Sequence, residues 1–249
     1  KNYYSKSEKK KNPKLTFARK NENLIVVDDV AKFYLVNINT GELVWSKVND
    51  YPFNSQIKIF KDKFFAIDYK NIMRCFYLKD GSECWNFKTE DTLMMSGSKY
   101  SIIIENETVI FNNSVGDITA IDIPTGSMIW QIPTQSSRIS NETYIFRNSK
   151  LVSDGNSIFL SNNKNEFFSI SLKTGTINWT NKISSSLTPV LLDNLIFTIS
   201  TDGFLFTIDK NQGNILRVND IYNLYKTKHR NKTKPVGFSV GKDKLYLSN

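Results

Sequence analysis

The chain has 249 residues, 40% of them hydrophobic, with 17 Phe and 11 Tyr. That length suits one large all-β domain or two smaller ones, and the aromatic and β-branched bias favours pleated, half-buried surfaces over helices. One histidine, His229, and two cysteines, Cys75 and Cys84, are too few for a metal cluster or a disulfide framework. No run of about 18 apolar residues exists to make a transmembrane helix. The formal charge of +9 comes from scattered lysines and two clusters, Lys6–Lys14 and the group Lys226, Lys228, Arg230, Lys232 and Lys234. The plain reading of both clusters is a solvated surface. With no RNA-binding signature or zinc-finger spacing, no nucleic-acid partner is expected.

Residues 1–14 read as a basic extension without order. The chain opens at Lys1 with neither an initiator Met nor an apolar signal segment, as expected of a processed chain or a fragment. Leu15–Arg19 then reads as a strand, Leu24–Val27 as a second, and Asp28-Asp29 as a turn. Phe33–Ile38 is a third strand, Asn39-Thr40-Gly41 a hairpin turn, and Leu43–Lys47 a fourth strand carrying Trp45.

This unit recurs. Thr40-Gly41-Glu42-Leu43-Val44-Trp45 returns as Asp80-Gly81 through Trp85, Thr125-Gly126 through Trp130 and Thr174-Gly175 through Trp179. A fifth copy, Gln212-Gly213 through Arg217, has lost its Trp. The glycines at 41, 81, 126, 175 and 213 step by 40, 45, 49 and 38 residues, the spacing of four-stranded propeller blades. Five positions before each glycine stand Val36, Phe76, Ile121, Ile170 and Ile208. Sixteen before it stand Ile25, Phe65, Ile110, Phe159 and Phe197, each after another apolar residue. Blades end near residues 48, 88, 133, 182 and 220, with insertions between each Trp and the next strand mapping to loops. One blade cannot cover both its faces, so neighbours must stack; each Trp is read as packing between blades, worth a few kcal/mol (~3) when buried.

Pro235–Val240 and Lys244–Ser248 read as the first two strands of a sixth blade, whose glycine would fall about 13 residues beyond Asn249. The fold expected is therefore an all-β propeller of four-stranded antiparallel blades over residues 15–249, five blades and the start of a sixth, an incomplete part of a larger ring.

Gly116-Asp117-Ile118-Thr119-Ala120-Ile121-Asp122 running into Thr125-Gly126 and Trp130 resembles the PQQ-like, tryptophan-docking repeat, as does Asp202-Gly203-Phe204-Leu205-Phe206-Thr207-Ile208-Asp209. Within that superfamily, Thr188-Pro189-Val190 with Leu195–Ser200, and Lys234-Pro235-Val236-Gly237-Phe238 with Leu245–Ser248, look most like the closing blades of the outer-membrane protein assembly factor BamB family. The resemblance implies an eight-bladed periplasmic propeller, held at the outer membrane by a lipid anchor. It also implies binding to the periplasmic domains of the central barrel-assembly protein.

The rival reading is a PQQ-dependent dehydrogenase, or a ligand-sensing propeller domain of a larger protein. The first needs PQQ, a Ca²⁺ on carboxylate and amide oxygens, and an Asp base. No carboxylate pair stands out: Asp122 and Asp209 share one repeat position, and Asp117 and Asp202 read as turn residues. His229 sits in a basic loop with no nucleophile in evident relation to it. No catalytic residue, cofactor or metal is therefore expected. Cys75 and Cys84 read as two small core residues, with a disulfide left open for an oxidising compartment because they lie on the two arms of one hairpin. The basic segment Tyr225–Lys234 reads as a surface loop, with an acidic partner or anionic lipid as the sharper alternative.

Overall fold

The computed structural model describes residues 4–10, 12–90, 99–134, 147–223, 234–241 and 244–248. Five four-stranded antiparallel sheets follow one another, each taking its strands in chain order. The first is β1 (Leu15–Lys20), β2 (Asn23–Asp28), β3 (Lys32–Asn37) and β4 (Leu43–Val48); the second is β5 (Lys58–Phe60), β6 (Lys63–Ile67), β7 (Ile72–Tyr77) and β8 (Glu83–Lys88). The third is β9 (Ile102–Glu105), β10 (Thr108–Asn112), β11 (Ile118–Asp122) and β12 (Met128–Ile132). The fourth is β13 (Val152–Ser153), β14 (Ser157–Ser161), β15 (Phe167–Ser171) and β16 (Ile177–Asn181); the fifth is β17 (Val190–Leu192), β18 (Leu195–Ile199), β19 (Phe204–Asp209) and β20 (Ile215–Asp220). A two-stranded sheet, β21 (Gly237–Val240) with β22 (Leu245–Ser248), comes last. These are propeller blades, five complete and one begun. The chain divides into two compact units, residues 1–129 and 130–249, with the division inside β12.

The sequence offsets become register. In every blade the residue sixteen before the glycine pairs with the residue six before it: Ile25 with Leu35, Phe65 with Cys75, Ile110 with Ala120, Phe159 with Ser169, and Phe197 with Thr207. Successive strand residues face opposite ways, so the second blade feeds two cores. In the first unit Phe64 joins Ile25, Phe33 and Leu35, while its neighbour Phe65 joins Tyr100, Ile102, Val109 and Phe111. In the second unit Phe159 and Phe167 pack with Ile183, Ile196 and Ile208. Fully burying each such side chain contributes about 1.5–3 kcal/mol.

Each hairpin closes the same way. The glycine N–H donates to the carbonyl four residues back, Asn37, Tyr77, Asp122, Ser171 or Asp209, at 2.8–2.9 Å. Beyond the turn the ladder slips: Leu35 faces Trp45 but Val36 faces Leu43, which leaves Val44 as an inserted residue. The same β-bulge inserts Cys84, Asn178 and Leu216 in the second, fourth and fifth blades.

The basic amino-terminal segment carries one short element. Lys6–Lys10 is helical, started by a reciprocal cap in which Glu8 N donates to Ser5 Oγ (3.2 Å) and Ser5 N donates to Glu8 Oε2 (2.6 Å). Tyr4 fixes this segment to the first blade by donating its hydroxyl to Asp28 Oδ2 at 2.6 Å. Among the described residues, no helix is long and apolar enough to cross a membrane.

Candidate functional site

The repeat tryptophans stand on the outermost strand of their blades and reach the hairpin of the next. Trp45 Nε1 donates to the Leu78 carbonyl at 2.9 Å and Trp85 Nε1 to that of Ile123 at 2.9 Å. Within the second unit, Trp130 Nε1 donates to the Leu172 carbonyl at 3.0 Å and Trp179 Nε1 to that of Lys210 at 3.1 Å. Each acceptor lies three residues before a repeat glycine, and the indole covers that glycine. A methyl group added at Gly81, Gly126, Gly175 or Gly213 would stand 2.8, 2.7, 2.7 or 2.5 Å from the ring. These glycines also hold φ between +66° and +76°, where a side chain is strained. Gly41 has φ +66° and nothing within 4 Å. The bulge places the indole: with one extra residue in the outer strand, the Trp four positions after Gly turns toward the next blade. These residues are thereby engaged in blade contacts.

A second periodic position escaped the sequence reading. Thirteen residues before each glycine stand Asp28, Asp68, Asn113, Asn162 and Ser200. Their side-chain oxygens take backbone N–H groups of the turn between second and third strands: Asp68 Oδ1 accepts from Lys70 N (2.9 Å) and Ile72 N (3.2 Å). Asn113 Oδ1 accepts from Val115 N and Asp117 N, Asn162 Oδ1 from Lys164 N and Glu166 N, and Ser200 Oγ from Phe204 N. These are Asx-type turns, and five short polar residues at one offset were the available signal.

At this position the second blade carries a buried charge network. Arg74 Nε donates to Asp68 Oδ2 at 3.0 Å and Arg74 Nη1 to Glu83 Oε2 at 2.7 Å. Asp68 is 0% exposed and Arg74 7%. Burial pushes the Asp68 carboxyl up against the pull of Arg74 and two backbone N–H groups. Burial works against the Arg74 charge too, but its bonds to Asp68 and Glu83 outweigh it and hold the guanidinium charged. With its donors and acceptors matched, this is a structural pair. Asp122 and Asp209 are hairpin acceptors: Asp122 Oδ2 takes Thr125 N (2.9 Å) and Thr125 Oγ1 (2.6 Å), and Asp209 Oδ1 takes Asn211 N and Gln212 N. Among the described residues, no three His, Cys, Asp or Glu side chains are grouped to hold a metal ion.

What the described surface offers is strand edge and apolar side chain. β20 ends its sheet, and its outward edge pairs with no other strand among the described residues. All four residues Ile215–Val218 are exposed, Leu216 to 58% and Val218 to 49%. Arg217 stands where the other blades carry Trp. β4 has the same character, with Leu43, Val44 and Val48 exposed. Of the basic cluster, Lys234 is exposed; Lys226, Lys228, Arg230 and Lys232 lie outside the described residues, as does His229.

Comparison with solved structures gives the fold a wider setting. BamB from Moraxella catarrhalis matches with a TM-score of 0.71 and 18% identity, over 83% of this chain and 63% of that one. The computationally designed Ika8 protein matches at 0.69 and 13% identity, over 94% and 67%. A europium-containing methanol dehydrogenase matches at 0.67 and 12% identity, over 83% and 50%. At such identities the likeness is one of fold, shared by an assembly factor, a designed protein and an enzyme. The chain spans less than two thirds of the length of the Moraxella protein. No curated protein sequence matches it. The sequence model of the outer membrane protein assembly factor BamB, however, matches residues 5–219, which include the five glycine turns, the four docked indoles and the Asx positions, and the chain belongs to that family.

Proposed function

We propose that this chain works as a non-catalytic propeller scaffold in the periplasm, an accessory to the machinery that assembles outer-membrane β-barrels. The family match over residues 5–219 carries the reading. The partner is the periplasmic region of the central barrel-assembly protein, and a lipid anchor would hold the scaffold at the membrane.

The docking surface is the outer edge of the fifth blade with the basic segment that follows it. β20 supplies unpaired backbone and three exposed apolar residues, Ile215, Leu216 and Val218, the features by which a sheet edge accepts an added strand. Lys226, Lys228, Arg230, Lys232 and Lys234 follow within twenty residues and complement an acidic partner.

The test is binding of the purified periplasmic region of the barrel-assembly protein to this chain. The double variant L216K/V218K is expected to weaken binding at least tenfold, about 1.4 kcal/mol, with an unchanged melting temperature. The control L43K/V44K on β4 is expected to bind as wild type. Equal loss in both variants overturns the surface assignment. Stoichiometric uptake of PQQ with Ca²⁺ by the purified chain overturns the scaffold reading itself.

A further inference from the structure

Two thiols face each other across the bulge of the second blade. Cys75 on β7 is fully buried and Cys84 on β8 is half-buried. Both belong to the face whose core holds Phe65, Met73, Tyr100 and Ile102, beside Trp85. The register sets Cys75 opposite Trp85 and Phe76 opposite Glu83, so Cys84 is the inserted residue of the bulge.

The equivalent positions of the other blades are Leu35 and Val44, Ala120 and Ile129, Ser169 and Asn178, and Thr207 and Leu216. In the fourth blade their side chains bond, with Asn178 Nδ2 donating to Ser169 Oγ at 3.1 Å. The same bulge in the second blade places Cys75 and Cys84 side by side against one core cluster. A disulfide needs Cα atoms about 4.4–6.8 Å apart, and a bulge sets its two residues, here Cys84 and Trp85, against one partner residue, Cys75.

We propose that Cys75 and Cys84 are a modification site that closes to a disulfide within the blade, clamping the bulge that aims Trp85 at Gly126. The co-reactant is a disulfide, from a small molecule or a thiol–disulfide oxidoreductase. The Cys84 thiolate attacks one of its sulfurs, expels one thiolate and becomes a mixed disulfide. Cys75 then loses its proton and attacks the Cys84 sulfur, forming the Cys75–Cys84 bond and releasing the second thiol. The protein gives up two hydrogens and two electrons, and the incoming disulfide is reduced to two thiols.

Burial raises both thiols above the ordinary range; nearby Lys63 and Asp62 act on them in opposite senses. Closure is therefore slow at neutral pH and faster in alkali. The site stands on blade geometry alone, whatever partner the scaffold has.

The folded chain is equilibrated with mixtures of reduced and oxidised glutathione, quenched in acid, alkylated and mapped by mass spectrometry. Trypsin releases Cys75–Lys79 and Asp80–Lys88. The expected result is a linked pair of these peptides, both thiols losing reactivity in one concerted transition. The C75S variant is expected to accumulate glutathione on Cys84 instead. Wild-type chain that accumulates that adduct as C75S does, or whose two thiols stay alkylatable in the most oxidising mixture, overturns the proposal.

Discussion

Gly126 shows how two independent constraints meet on one residue. Its φ of +73° is expensive for any side chain, and the Trp85 ring lies where a Cβ would go. Alanine in the left-handed region costs about 1–2 kcal/mol, and forcing a methyl into a filled contact adds ~1–3 kcal/mol. Gly41 has the same turn and φ but open space above it. Gly126→Ala should therefore lower stability by about 2–5 kcal/mol and Gly41→Ala by about 1–2 kcal/mol, read as urea midpoints at equal m-values. Equal losses would mean the indole moves aside at little cost. The glycine and tryptophan positions were legible in the sequence because both roles demand one residue type in every copy. The Asx position was harder to see, because Asp, Asn and Ser all satisfy it. Arg74 was illegible: its repeat equivalents are Tyr34, Thr119, Phe168 and Phe206, and only the folded blade brings it to Asp68.

Hairpins were predicted from glycine and period alone, and the strands fall within a residue or two of their expected bounds. The bulge was not predicted, because it changes no spacing between the copies that contain it, the first, second, fourth and fifth blades. Its consequence is large: it lets a Trp on the outer strand face the next blade and leaves the residue before it beside the third strand. The turn ahead of it is secured electrostatically in the third blade. The Thr125 hydroxyl and then its amide hold the Asp122 carboxyl below the usual range. A carboxylate whose pKa is lowered by folding stabilises the fold above its unfolded pKa, about 3.9, and loses that contribution as pH falls through the folded value. Asp122→Asn should accordingly melt below wild type at pH 6, with the gap narrowing as pH falls below about 3.9. A gap that stays constant would show that the turn needs the side chain's shape and not its charge. The amino-terminal helix follows the same logic of short-range polar pairing. Ser5 and Glu8 have the spacing of a capping box, a signal that lysine-rich surroundings obscured.

At the scale of the whole chain, the proposed docking surface combines two kinds of feature. A formal charge of +9 acts at long range and is screened within about 8 Å at physiological salt. The apolar edge of β20 acts only on contact. If the basic residues 226–234 guide the partner and the edge holds it, salt should act on association and spare dissociation. Raising salt from about 0.05 to 0.5 M is expected to slow association roughly tenfold while the dissociation rate changes less than twofold. Replacing Lys226, Lys228, Arg230, Lys232 and Lys234 by Gln lowers the formal charge to +4 and should flatten that salt dependence, leaving the dissociation rate intact. L216K/V218K should do the reverse and raise the dissociation rate. Should salt instead speed dissociation of the wild-type complex many-fold, the lysines are inside the contact, and charge pairing rather than strand addition holds the partner.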